Sequence, residues 1–159
     1  MKKLSLIAIA LISIVCISCG GKGSVSPQDF NNSAMEIFGE ANNALSEFDA
    51  KITEGVTSSD LASIAVAAES ALEKVDAQIE KLKAISTKNG EKYKESVLKS
   101  LDSVKAIIET GKKYAELAEE YTREEFDNLE AEYNSKRTQL SQELMNIATA
   151  QAEFVSAIK

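Results

Sequence analysis

Cys16 and Cys19 are the two most reactive side chains of the sequence, with Ile17 and Ser18 between them. Thiols in Cys-x-x-Cys spacing can act as a redox couple, and a single activated thiol can accept an acyl group or a metal. Little else in the chain has the type or spacing for chemistry. Histidine is absent, which excludes Ser-His-Asp and Cys-His catalysis, histidine-ligated haem and the Glu-x-x-His motif of di-iron bundles. No calcium loop, Walker loop or GxGxxG loop is present. The 25 acidic residues outnumber the 18 basic ones, but they fall on polar helix faces, where a carboxylate is solvated rather than paired for acid–base work. The expectation is therefore no enzyme, no cofactor and no metal. An acidic chain also repels phosphate backbones. Tyr93, Tyr114, Tyr121 and Tyr133 have no basic stripe beside them on which bases could stack, so nucleic acid is not an expected partner.

What becomes of Cys19 depends on the segment before it. Lys2 and Lys3 form a short positive start, and Leu4 to Ile17 is apolar apart from Ser5 and Ser13. That run is shorter than the ~20 apolar residues of a spanning helix and suits the hydrophobic region of a signal peptide. Small Ser18 precedes Cys19, and Gly20 and Gly21 follow. The pattern resembles the lipobox of bacterial lipoproteins, in which the cysteine thiol is acylated and becomes the new N-terminus. Cys16 stands where Leu, Val or Ile is commoner, and it is a rival acceptor, but bulky Val15 suits a processing site poorly. Ordinary secretion and a retained anchor are the other readings. Residues 1–18 are accordingly expected to be a signal peptide, and residues 19–26 a lipidated Cys19 and a flexible Gly/Ser tether. Cleavage before Cys19 splits the Cys-x-x-Cys pair and leaves no internal disulfide. It also removes Lys2 and Lys3, so 16 basic residues face 25 acidic ones and the charge moves from −7 to −9. By resemblance to lipoprotein sorting in double-membraned bacteria, Gly20 in place of Asp implies the outer membrane, at its periplasmic face or at the cell surface.

Residues 27–159 read as helices throughout. Ser26-Pro27 is a helix start, with Ser as N-cap and Pro in the first turn. The first helix is expected from Pro27 to Glu54, with Phe30, Ala34, Ile37, Phe38, Ala41, Leu45, Phe48 and Ile52 on its apolar face and Gly55 as its stop. Gly39 lies on the opposite face. The second helix is expected to start after Thr57-Ser58-Ser59, with Asp60 favourable to its N-terminal dipole, to bury Leu61, Ala65, Ala68, Leu72, Val75, Ile79 and Leu82, and to end at Asn89-Gly90. The third carries Tyr93, Val97, Leu101, Val104, Ile108, Gly111, Ala115 and Ala118 up to a turn near Glu120–Thr122. That turn is signalled by a capping box, Thr122 with Glu125, and by a hydrophobic staple, Tyr121 with Phe126; one continuous long helix is the alternative, since no Gly or Pro intervenes. The fourth runs from Arg123 to Ile158 on Phe126, Leu129, Tyr133, Leu140, Leu144, Ile147, Phe154 and Ile158. No stretch alternates with period two, so no strand is expected.

Amphipathic helices of roughly 42–54 Å at 1.5 Å per residue, joined by short links, predict an all-α, up-down-up-down four-helix bundle. At the end away from the tether, bulky Leu45, Phe48, Ile52, Phe126 and Tyr133 would face small Ala65, Ala68, Gly111, Ala115 and Ala118. This is large-against-small packing, with a cavity for a small apolar ligand as the sharper alternative. Arg137 and Gln151 interrupt a helix 4 row with Leu144 and Ile158. Each is either a flanking residue, with the Arg137 stem on the core and its charge in water, or a member of a buried pair with a carboxylate of a neighbouring helix that specifies register. Glu119, Glu120, Tyr121, Glu124, Glu125 and Asp127 cluster at the far end, either as helix-dipole complements or as a docking patch.

The pattern resembles an uncharacterised family of small helical bacterial surface lipoproteins. The resemblance is carried by the Cys19 region, Asp29-Phe30-Asn31, Glu132-Tyr133-Asn134 and Gln151-Ala152-Glu153-Phe154. It implies a surface location and supplies no catalytic residues. The expected function is a membrane-anchored, non-enzymatic binding or structural module whose partners are the membrane, through the lipid, and an unidentified envelope or surface macromolecule. The alternative is an apolar-ligand carrier.

Overall fold

The computed structural model describes residues 23–117 and 121–158. Cys16, Cys19, Gly20 and the rest of the expected signal peptide and lipidation region, together with Ala118, Glu119 and Glu120, lie outside the described residues. Four long helices make up the structure: α1 (Pro27–Ser58), α2 (Leu61–Ala84), α3 (Glu91–Lys112) and α4 (Arg123–Ala157). Cross-helix pairs give their directions. Glu47 meets Lys74 and Gly55 meets Ile64, so α1 and α2 are antiparallel. Asp76 meets Lys105 and Glu69 meets Lys112, so α2 and α3 are antiparallel. Lys92 meets Glu153 and Lys113 meets Glu132, which sets α3 against α4. The order is up-down-up-down, as the short links require.

The bundle is not square. α3 packs on α1, α2 and α4, whereas α1 and α4 stay further apart and meet through side chains. Phe30, Leu45, Phe48, Ile64, Val75, Leu82, Tyr93, Val97, Leu101, Val104, Ile107 and Ile108 are the largest fully enclosed side chains.

The helix starts follow local chemistry. Ser26 accepts the Asp29 amide at 3.1 Å and Asp60 accepts the Ser63 amide at 3.3 Å, each satisfying a donor that the first turn leaves without a helical partner. Thr122 and Glu125 form the reciprocal capping box, and Tyr121 stacks on Phe126 at 5.8 Å, completing the staple.

The ends differ from expectation. α1 runs through Gly55 and stops at Ser59, whose φ of 58° supplies the left-handed cap. Gly55 is small for another reason: a Cβ there would lie 2.6 Å from Ile64 Cγ1 and 2.9 Å from the Asp60 carbonyl. α2 ends at Ala84, before Asn89-Gly90, and Lys94 of α3 donates to the Lys83 carbonyl at 2.8 Å and to that of Ile85, covering the open end. α3 ends at Lys112 and tightens into a 3-10 turn, Lys113–Glu116.

Two corrections concern strands and faces. A minimal parallel ladder pairs β1 (Gly23–Ser24) with β2 (Ile85–Ser86), and the Val25 amide donates to the Ser86 carbonyl at 2.9 Å. The expected flexible tether is therefore held from Gly23 onward, and it is held at the α2–α3 turn. The buried face of α2 is centred on Ile64, Ala68, Ala71 and Val75, which leaves Leu61, Ala65 and Leu72 half-buried. On α4, Leu144 and Ile158 are exposed rather than enclosed.

Candidate functional site

The acidic end is the first candidate, and its residues already have local partners. Glu125 accepts the Thr122 amide and hydroxyl, both at 2.8 Å, and the backbone bond is the main cause that lowers its pKa. Asp127 pairs with Arg123 one turn back at 3.5 Å. Tyr121 is partly covered by Phe126. Glu124 alone of the described carboxylates in the cluster projects without such a bond. Capping and dipole complementarity thus account for most of this cluster.

The second candidate joins α1 to α4. Asp49 accepts hydrogen bonds from the Tyr133 hydroxyl and from the Arg137 guanidinium. Tyr133 is buried, while the Asp49 and Arg137 side chains are 32% and 44% exposed. Arg137 is thus the flanking residue of the first reading, with its head partly in water; it does pair with a carboxylate of a neighbouring helix, but the pair is half-exposed rather than buried. Burial first, and then the Asp49 carboxylate, hold the Tyr133 hydroxyl well above the usual tyrosine range, so it is a donor throughout the physiological range. Gln151 makes the equivalent link at the other end, donating to Asn31 at 2.8 Å. These bonds fix the register of α4 on α1 where the helices do not pack closely.

Sequence reasoning missed a third feature. Glu143 is buried on the α3–α4 seam, where its Oε1 accepts from Gln139 at 3.3 Å and lies 3.8 Å from the Lys99 ammonium. Its other oxygen has no hydrogen-bond partner among the described residues. The row Leu129, Lys136, Glu143, Ala150 repeats every seven residues, and that spacing is the signal that places Glu143 inward. An open groove of about 430 Å³ lined by Ser96, Lys99, Asn146 and Thr149 runs beside it. A second open groove, about 420 Å³, lies over Ala44, Phe48, Ala67 and Ala71 between α1 and α2.

The space at Gly111 is filled. A Cβ at Gly111 would lie 2.6 Å from Phe48, 2.8 Å from Ile52 and 2.9 Å from Tyr133. This is interdigitation of large against small at the expected end.

Tyr93 is a structural oddity at the opposite end. It is fully buried between Phe30 and Phe154, and its hydroxyl has no partner among the described residues. Burial pushes its pKa up to about 12, above ~10 for an unfolded chain. The folded state then holds this proton more tightly, so its contribution is complete below pH ~10 and is lost as pH rises from ~10 towards about 12. Tyr93→Phe removes an unpaired buried hydroxyl. It should raise stability at pH 7 by about 1 kcal/mol and flatten the alkaline decline. Urea unfolding at pH 7 and pH 11 measures both effects.

Among the described residues no group of three or more carboxylates is placed to hold a metal, and no helix is long and apolar enough to cross a membrane. Comparison with protein-family models, with curated proteins and with solved structures returns no match.

Proposed function

We propose that this chain is a lipoprotein of a bacterial envelope. On this reading acyl chains on Cys19 anchor it to the outer membrane, and the bundle is presented as a non-enzymatic binding or structural module to another envelope or surface macromolecule. The observation that carries the reading is the apolar run Leu4–Ile17 ending in Ser18-Cys19-Gly20. The geometry of the bundle is compatible with it. The ladder between Gly23–Ser24 and Ile85–Ser86 puts the start of α1 and the α2–α3 turn at one end, which becomes the membrane-proximal end. The far end carries Glu54, Asp60, Glu116, Glu124 and Glu130, charges that keep away from an anionic lipid surface. The filled space at Gly111 weighs against an apolar-ligand carrier.

Partition of the full chain tests the anchor. One acyl chain binds a membrane only marginally, so stable residence takes more than one, as the lipoprotein pathway supplies. The wild-type protein should stay in the membrane pellet after a high-salt wash and enter the detergent phase on extraction. Cys19→Ser should move it to the aqueous phase. Retention of Cys19→Ser in the detergent phase would contradict the lipid anchor.

A further inference from the structure

The tether is shorter than its composition suggests. Gly23 and Ser24 pair with Ile85 and Ser86, the Val25 amide donates to the Ser86 carbonyl at 2.9 Å, and the Val25 side chain packs against the core. Between Cys19 and the bundle lie only Gly20, Gly21 and Lys22. Whatever path they take, the four steps from Cys19 to Gly23 span at most about 14 Å. A cysteine whose acyl chains lie in the hydrocarbon core sits beneath a headgroup layer of ~5–7 Å. Gly23 then stands no more than about 9 Å above the headgroups. Its ladder partner, Ile85, is one strand spacing away, ~4.8 Å. Covalent reach alone therefore prevents the bundle from standing off the membrane, and the part held nearest is the α2–α3 turn.

The charge of that turn is unlike that of the rest of the chain. Residues 81–94 carry five lysines, Lys81, Lys83, Lys88, Lys92 and Lys94, against one acid, Glu91, in a chain of net charge −7. Three of the five have structural duties. Lys94 covers the open end of α2, Lys83 pairs with Glu80 at 2.9 Å, and Lys92 pairs with Glu153 at 2.5 Å. Lys81 and Lys88 are exposed, and no ion pair engages either among the described residues. Asp29, at the start of α1 on the same end, is already held by the Ser26 hydroxyl at 2.6 Å.

The turn is also rigid. Asn89 takes the left-handed conformation at φ 62°, and the Gly90 amide donates to the Thr87 carbonyl at 3.3 Å. A Cβ at Gly90 would lie 2.5 Å from Thr87 Cγ2, so the turn is packed down onto the core. Lys88 is thus presented from a fixed backbone, and little ordering remains to be done when it meets a ligand.

We propose that the α2–α3 turn is a membrane-docking surface, on which Lys81 and Lys88 meet the phosphates of anionic headgroups in the membrane that holds the anchor. An ammonium binds phosphate as a compact point charge and needs no shaped pocket. The inference rests on the lipid at Cys19 and adds the contact that orients the bundle, with the acidic far end turned away from the lipid.

Amine footprinting of the full-length protein tests it. The protein isolated with its lipid is bound to vesicles of phosphatidylcholine and phosphatidylglycerol. It is treated with a sulfonated succinimidyl acetate that does not cross the bilayer. Acetylation at each lysine is read by peptide mass, against the Cys19→Ser chain in solution. On vesicles Lys81 and Lys88 should react about fivefold more slowly, the weight of one lysine near an anionic surface. Lys51, near the far end, and Lys99, midway along α3, should react as in solution. Inserting about ten Gly/Ser residues between Gly21 and Lys22 lengthens the reach and should restore most of the reactivity at Lys88 while the protein stays on the vesicles. A protein that does not bind the vesicles would overturn the lipid anchor and this inference with it. A protein that binds while Lys81 and Lys88 react at their solution rates would leave the anchor and overturn the docking surface. Equal protection at Lys51 and Lys99, or protection unchanged by the insertion, would overturn it as well.

Discussion

Phe30→Ala should cost about 3–5 kcal/mol, a large part of the 5–15 kcal/mol that holds a domain of this size together. Phe30 is fully buried where three helices and a turn converge. Its ring meets Tyr93 edge-on at 6.0 Å and Phe154 at 5.6 Å, and the last two stack at 5.7 Å. Each aromatic pair adds about 0.5–1.5 kcal/mol beyond its buried area. Phe30 also approaches Gly90 so closely that a Cβ there would sit 3.2 Å from its ring. Truncation therefore loosens α1, α3, α4 and the α2–α3 turn together. Leu72→Ala is the comparison. Leu72 is half-buried, so its loss should fall well short of that at Phe30. Urea unfolding of both variants decides, and equal losses would mean that the aromatic cluster does not tie the helices as described.

The second large effect is at Gly111, where the sign opposes helix propensity. Replacing a helical glycine ordinarily gains up to about 1 kcal/mol, less near a helix end such as this one. At Gly111 the space is taken by Phe48 and Ile52 of α1 and Tyr133 of α4, all within 2.9 Å of a new Cβ. Gly111→Leu must push α4 off α3 or drive those side chains from their rotamers, at a cost of about 3 kcal/mol. Displacing Tyr133 also strains its hydrogen bond to Asp49, and with it the link between α1 and α4. Gly39→Ala is the control. Nothing lies within 4 Å of a Cβ there, so it should stabilise by about 1 kcal/mol. Thermal unfolding of the two variants should move in opposite directions, and a stabilised Gly111→Leu would mean that the large-against-small packing is wrong.

The parts of this architecture that were legible in the sequence are those fixed by neighbours along the chain. The Thr122–Glu125 box and the Tyr121–Phe126 staple involve residues three and five apart, and both form as their types require. The helical faces of α1 and α3 were legible because each has one narrow apolar stripe. α2 was misread because Leu61, Ile64, Ala65, Ala68, Ala71 and Leu72 form a wide apolar arc. Its centre is set by how α2 sits on α1 and α3, and periodicity does not determine that. Gly55 was misread because a glycine at a stop and a glycine at a close approach look the same in one dimension. Its partner, Ile64, becomes visible only once α2 has folded back. The ladder of Gly23–Ser24 with Ile85–Ser86 was illegible for a related reason: two-residue strands carry no alternation, and their pairing bridges the length of two helices.

The candidate sites divide along the same line. That Arg137 needed either water or a carboxylate was readable, but Asp49 as its partner was not, since the two lie far apart in sequence. Glu143 was missed, because the carboxylates were all assigned to solvated helix faces and its row, Leu129, Lys136, Glu143 and Ala150, mixes charge with apolar residues; Lys99 beside it lies far away in sequence.

The intact mass of the mature protein, isolated from membranes without reduction or base treatment, tests the lipoprotein reading most directly. The account predicts a polypeptide that begins at Cys19 and is heavier than residues 19–159 alone by more than one acyl chain, with the added mass confined to the N-terminal fragment after proteolysis. A mass equal to the bare polypeptide with a free thiol at Cys19, or a chain that begins elsewhere, would contradict it.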